Sequence, residues 1–559
     1  MERTVIYPAR IVRTMDPARP VAEAVAIRGD RIRAVGTVTE LKEYPGAVVD
    51  ERYSDSALLP GFVEAHSHAG SGNVWANTYV GYMDRIDPDG RRWPGCRTVD
   101  EILERLREAE AELHAPDELL MAWGLDPIYF PDQPLAAEQL DMVSSNRPIY
   151  VSHTNGHVCA VNSVVLERFG INQSTRVDGV VKNENGDPTG ELQEFAAMGL
   201  VAELTEGRGV LNTNTEALIR FAQEGVNTGT TTLTDLGTTA LMDDEGVDLY
   251  ESVVRDDYPA RLNVFHFGAG IGQPTLSLQE AADRLVHLRD ESTGKLRFGN
   301  VKLMLDGSIQ GFTARLLAPG YYRDQPNGIW NISPEEFKAA FETFHRAGLL
   351  VHVHCNGDQT TQLFLDILEE ILTSYPRPDH RHTCTHSQMT TAAQYRRMAA
   401  LGACANIFAN HIWAWGDQHI DVTVGPDRAA RMNAAATALR TGVPISLHSD
   451  TPVTPLGPLQ AVKHAVTRKT VSGRVMGEFE KIGVQEALEA VTIGGAYMLK
   501  MDHEVGSIES GKFADLAVLA EDPFDVEAER IGDIRVLGTV VGGQHFKTKV
   551  AAPAEALAP

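Results

Sequence analysis

The feature that most constrains this 559-residue chain is a repeated alternation of short apolar β-runs with amphipathic stretches through its middle. Candidate strands fall at residues 61–66, 230–235, 261–267, 300–306, 349–355, 381–386, 403–408 and 444–450. Segments such as 334–347 and 361–375 lie between them with helical periodicity. Parallel strands need helical crossovers, and eight of them close on themselves, so the pattern predicts an α/β fold built on a TIM-type (β/α)8 barrel. The first connection breaks the rhythm. Residues from about 70 to 215 are too many for one helix and predict an inserted subdomain after strand one, with its own β-runs at 119–123 and 148–153.

The two ends of the chain differ from the middle. Residues 1–58 alternate in short β-bursts separated by turns such as Arg28-Gly29-Asp30, and residues 505–550 repeat the style. This predicts one composite β-sandwich domain assembled from both termini, beside a barrel domain spanning 59–504. Residues 551–559, made of Ala, Pro, Glu and Leu, are expected to be a disordered tail.

A formal net charge of −26 with no basic patch argues against nucleic acid as a partner. No run of about 18 apolar residues could cross a bilayer, and the N-terminus has no signal-peptide core, so no membrane partner is expected. Five cysteines without a CxxC or a regular framework read as reduced, buried thiols, and the expected location is cytoplasmic. A GxSxG elbow is missing, which disfavours a serine hydrolase, and Gly268-Ala269-Gly270-Ile271-Gly272 is only a loose match to a phosphate cradle.

Polar residues gather where the strands end, the rim on which barrel enzymes carry their chemistry. His66 and His68 close strand one, Lys302 lies in strand four, His354 ends strand five, His386 ends strand six and Asp450 ends strand eight. Imidazoles together with a carboxylate suit Zn²⁺ or another divalent metal. Strand five offers both His352 and His354, two apart on one face. His354 is preferred because it is nearer the rim and fits an HxxGD spacing with Asp358.

The segments PGFVEAHSH (60–68), NGHVCAVNSVVLERFGI (155–171), VKLMLDGSIQGFTARL (301–316), LLVHVHCNGD (349–358), CTHSQ (384–388), LHSDTPV (447–453) and GSIESGKFADLAVL (506–519) span nearly the whole chain. Together they resemble the metal-dependent amidohydrolases, in the branch of YtcJ-like proteins and N-substituted formamide deformylases. One departure is Glu64, which stands where many relatives carry Asp. The resemblance implies a metal centre of His66, His68, Lys302, His354, His386 and Asp450 holding one or two ions per subunit. A protonated lysine has no lone pair to give a metal, so the resemblance also implies an N6-carboxylysine at Lys302 bridging two ions. The competing reading leaves Lys302 unmodified and paired with Asp306 at a single-metal site.

These residues lead to a metal-dependent hydrolase cleaving a C–N bond of amide type in a small-molecule substrate. Asp450 is the expected proton shuttle, and His157 either helps polarise the carbonyl or contacts substrate. Trp413 and His411, on the loop after strand seven, are expected to line a pocket for an apolar or aromatic group, with Asp306 and Arg315 as further substrate contacts. A homodimer is expected from the commonness of two-fold assemblies. The rivals are a deaminase or an ester or lactone hydrolase on the same fold and, from another class, a catalytically silent regulator or scaffold.

Overall fold

The computed structural model describes residues 3–550 apart from 116, 132, 206–211 and 270–275. The expected disordered tail at 551–559 lies outside the described residues. Eight parallel strands form the central sheet: β1 (Phe62–Val63), β2 (Thr230–Thr238), β3 (Arg261–Phe267), β4 (Leu296–Met304), β5 (Leu350–Cys355), β6 (Thr383–His386), β7 (Cys404–Ile407) and β8 (Ile445–Leu447). They hydrogen-bond in sequence order from β1 to β8. Helices such as Leu278–Asp290, Pro334–Arg346, Asp358–Ser374 and Ala392–Leu401 return the chain between them. The fold is the expected barrel.

The helices start where the sequence caps them. Ser277, Ser333 and Thr391 each accept from the third residue of the helix, while Glu280, Glu336 and Gln394 reach back to the cap backbone. Phe337, Phe341 and Phe344 line one face of Pro334–Arg346 and are buried against the barrel with Phe364 and Leu368 of the next helix. Spacings of three and four residues bring those rings to one side.

Strand one is shorter than expected. It ends at Val63, so His66 and His68 stand on the loop beyond it. The chain there is held by contacts on both flanks: Glu64 N–H donates to Thr232 O (2.9 Å), and Asp450 N–H donates to His66 O (3.2 Å). Strand eight likewise stops at Leu447, before His448 and Asp450.

The two termini share one continuous eight-stranded sheet. Leu516–Leu519 from the C-terminal end runs antiparallel to Ala57–Pro60 from the N-terminal end. Thr4–Arg13 bends at a register shift between Pro8 and Val12 and pairs with both Val48–Val49 and Ala57–Pro60. Gly61 then passes the chain into the barrel. A side chain here would meet Thr231 Oγ1 at 2.0 Å, so the close approach requires glycine. A buried ion pair, Arg261 to Asp515 at 2.6 Å, ties the terminal sheet to β3.

The insert builds a six-stranded sheet in which Leu120–Leu125 and Ile149–His153 run parallel and Val158–Val161 and Pro188–Gln193 run antiparallel. The C-terminal ends of its parallel pair point at the barrel rim and supply one wall of the cavity there.

Candidate metal centre

The loops after β1 and β8 zip together and bring their side chains to one point. Asp450 Oδ1 lies 3.0 Å from His66 Nε2 and 3.2 Å from His68 Nε2, and Oδ2 lies 3.8 Å from His386 Nδ1. Among the described residues, His66, His68 and Asp450 offer ligand atoms within 4.8 Å of one another, and so do His66, His386 and His448. The two groups share His66.

His448 escaped the sequence reading. It sits two residues before Asp450, an HxD spacing that mirrors the HxH after β1 and could have revealed it. Its Nδ1 donates to Asn406 Oδ1 at 2.8 Å, and that oxygen also accepts from Ser446 Oγ. The bond fixes the tautomer and turns the Nε2 lone pair towards His386 Nδ1, 3.1 Å away. Burial holds His66 and His386 well below the ordinary histidine range and brings His448 down to about 3. Neutral imidazoles with inward lone pairs are what a cation requires. Burial works against the Asp450 carboxylate, but its contacts with His66, His68 and His386 outweigh it and keep its pKa well below the usual value.

The backbone is strained at this rim. His386 has φ +70° and Asp450 φ +56°, left-handed conformations that side chains rarely adopt and that concentrate at functional sites.

Lys302 lies buried in the cavity, and its Nζ has no hydrogen-bond partner. Burial lowers its pKa to about 7, with Asp450 pulling the other way. Asp306 does not pair with it. That carboxylate instead accepts from His354 Nδ1 (3.1 Å), from the N–H groups of Arg315, Asn356 and Gly357, and from Thr360 Oγ1. Asp306 therefore orients His354 and has no capacity left for a substrate.

Of the two strand-five histidines, His354 lines the cavity and stacks edge-on to His386 at 4.4 Å. His352 packs against Phe265 and does not line the cavity. Asn356 Nδ2 donates to His354 Nε2 at 3.3 Å, so this imidazole borders the ligand cluster with its lone pair shared.

His157 reaches the cavity from the insert. Its Nδ1 bonds Glu194 Oε2 at 2.9 Å, and that oxygen also accepts from Asn331 Nδ2. Burial opposes the charged ring, but Glu194 prevails and raises the His157 pKa. Glu194 itself is buried with φ +60°. It was not singled out from sequence, since nothing local distinguishes it from a surface glutamate.

Three expected substrate contacts stand elsewhere. His411 turns into the protein interior, where Nδ1 meets His419 Nε2 at 2.8 Å. Trp413 stacks on His464 at 5.4 Å and lines a smaller neighbouring pocket. The helix Asn410–Gln418 begins directly after β7 and carries both side chains away from the rim cavity. Arg315 is taken up by Gln359 Oε1, Gly328 O and the Trp330 ring. The cavity of about 430 Å³ is lined instead by Trp123, His153, Phe195, Phe267 and Met304 around the metal-competent groups.

A parallel barrel with histidines and an aspartate converging at its C-terminal rim is the architecture of a metal-dependent barrel hydrolase. The chain belongs to the amidohydrolase family, whose model matches residues 54–546. It is similar to YtcJ of Bacillus subtilis (strain 168), at 27% identity over 93% of this chain and 95% of that protein. The N-substituted formamide deformylase of Arthrobacter pascens is 26% identical over 95% of this chain and 96% of its own length. Among solved structures, an uncharacterized metal-dependent hydrolase from Pyrococcus horikoshii OT3 shares the fold, with a TM-score of 0.70 at 18% identity over 94% of this chain and 99% of that one.

Proposed function

We propose that this chain hydrolyses the C–N bond of an amide-type small molecule bearing an apolar or aromatic group, using a bound divalent metal. The observation that carries the reading is the pair of ligand groups sharing His66 at the floor of the cavity. Neutral buried imidazoles beside an ionised carboxylate suit Zn²⁺ or a similar ion. His66, His68, His386 and Asp450 would hold it, with His448 as an added ligand and His354 at the border. Lys302, buried and without a partner, fits an N6-carboxylysine bridge between two ions. One ion per chain whether or not bicarbonate is supplied would rule the bridge out.

When bound, such an ion acidifies water and polarises a carbonyl. The remaining steps belong to the chain. Asp450 accepts the proton of the attacking water and returns it to the nitrogen as the C–N bond breaks, so the products are a carboxylic acid and an amine. His157, oriented by Glu194 through Nδ1, donates to the carbonyl oxygen as negative charge develops there. Phe195, Phe267 and Met304 hold the apolar part of the substrate away from water.

Five buried, unpaired cysteines support a reducing, cytoplasmic compartment. Among the described residues no helix is long and apolar enough to cross a membrane. A homodimer is tested by light scattering, which should give twice the chain mass of 61.0 kDa. The activity is tested by offering the Zn²⁺-loaded protein N-formyl and N-acyl amides, esters, lactones and amino-substituted heterocycles. Preferential amide cleavage is expected, and release of ammonia from the heterocycles alone would instead make it a deaminase.

A further inference from the structure

The insert wall of the cavity holds two polar atoms that nothing in the protein satisfies. Trp123 and His153 both line the cavity and are 2% and 5% exposed, yet Trp123 Nε1 and His153 Nε2 have no hydrogen-bond partner. Their neighbours on the same wall are committed: Thr154 Oγ1 donates to Gly124 O, Asn155 Nδ2 donates to Ser308 Oγ, and Asn155 Oδ1 accepts from His157 N–H. Buried polar groups are nearly always paired, so two unpaired ones on residues that line the same cavity mark a place for a ligand.

Local structure explains how the two come together. Leu120–Leu125 and Ile149–His153 are adjacent parallel strands with Trp123 opposite Ser152 and Leu125 opposite His153. Between them Gly124 forms a bulge with φ +96°, where Tyr79 packs so closely that a side chain would meet its ring at 2.6 Å. Such bulges re-aim side chains beside active sites. Trp123 can only donate, and a neutral His153 can donate or accept. Burial brings His153 to about 3, which keeps it neutral. Among the described residues, Lys302 on the metal floor is the only lysine or arginine lining this cavity.

Resting on the amide-hydrolase reading, we infer that Trp123 and His153 form a specificity wall that binds an uncharged hydrogen-bond acceptor, such as a ketone, ether or second amide carbonyl, on the substrate remote from the scissile bond. Among the described residues the cations beside this wall are held elsewhere, Arg85 by Pro452 O and Val453 O and His157 by Glu194. A carboxylate at that position would lose its hydration without a free partner, so acidic substrates are disfavoured. The surrounding Phe195 and Phe267 suit an aryl group between the two polar ends.

Three probes test this on the full-length, Zn²⁺-loaded protein: N-benzylformamide, its 4-acetyl derivative and its 4-carboxy derivative, with affinity read by calorimetry and cleavage by amine release. The 4-acetyl probe is expected to bind about two- to tenfold more tightly than the parent, the yield of one well-placed buried hydrogen bond, and the 4-carboxy probe more weakly than either. Trp123→Phe and His153→Leu, each checked for folding by its thermal midpoint, should pull the acetyl-to-parent ratio towards one. Equal affinities in the unmodified protein, preference for the carboxylate, or no binding of any probe overturns the inference. So does a folded variant that keeps the full ratio. Preferential binding without cleavage leaves the wall standing and instead removes the amide-hydrolase reading.

Discussion

Glu64, just past β1, accepts from both the backbone N–H (3.2 Å) and the hydroxyl (2.9 Å) of Ser449, just past β8. The ladder runs from β1 to β8 through the intervening strands, so this side chain joins the first and last strands across the seam. The same carboxylate accepts from His66 N–H at 3.3 Å. It thus fixes the loops that present His66, His448 and Asp450.

Glu64→Ala leaves two buried N–H groups without acceptors and should cost about 2 to 6 kcal/mol of stability, at about 1 to 3 for each unpaired group. Burial pushes the Glu64 carboxyl up to about 8, so it is largely neutral at pH 7. Glu64→Gln should therefore retain more than half of the lost stability in denaturant titrations. Equal losses for the two variants would refute the seam role.

His448→Ala should lower Zn²⁺ affinity by at least about tenfold, since ligand-shell changes of this kind cost roughly 10- to 100-fold. Asn406→Ala should produce a smaller effect in the same direction, because it frees the His448 tautomer. Competition with a chelating dye measures both, and unchanged affinity in His448→Ala would exclude it from the centre.

Asp450→Asn keeps the shape of the side chain but cannot take a proton. Turnover should fall by about 10² to 10⁴, the usual contribution of a positioned base, with the melting temperature little changed. Near-normal kcat would remove Asp450 as the proton shuttle.

A second histidine group lies at the opposite end of β5 and β6. His382 Nδ1 accepts from Val351 N–H (3.1 Å) and His380 Nδ1 from His382 N–H (2.9 Å), while His382 Nε2 and His345 Nδ1 share a bond of 2.9 Å. Burial lowers all three, His380 to about 4 and His382 well below the ordinary histidine range. Between pH 6.5 and 4 the unfolded chain therefore binds protons that the folded chain refuses, and stability falls with acid. Each such histidine adds a slope of about 1.4 kcal/mol per pH unit. His380→Gln should show a shallower decline over that window than the unmodified protein, and an identical slope would contradict the assignment.

The barrel and most of its rim were legible because strand-end polar residues after apolar runs leave a local pattern. His66, His68, His386 and Asp450 converge although two of the strands end earlier than their apolar runs suggest. His448 was missed because the contact that sets its tautomer comes from Asn406 on β7, and Glu194 because its role depends on a distant partner, His157. His411 and Trp413 were misplaced for the opposite reason. The helix that starts immediately after β7 decides where they point, and loop composition carries no record of that turn.

The most direct measurement is amine release from an N-formyl amide by protein stripped with a chelator and then titrated with Zn²⁺. Activity is predicted to vanish on stripping and to return in step with bound metal, saturating at one or two ions per chain. Undiminished activity in the metal-free protein, or stoichiometric Zn²⁺ binding that restores no hydrolysis of any amide offered, would contradict the account.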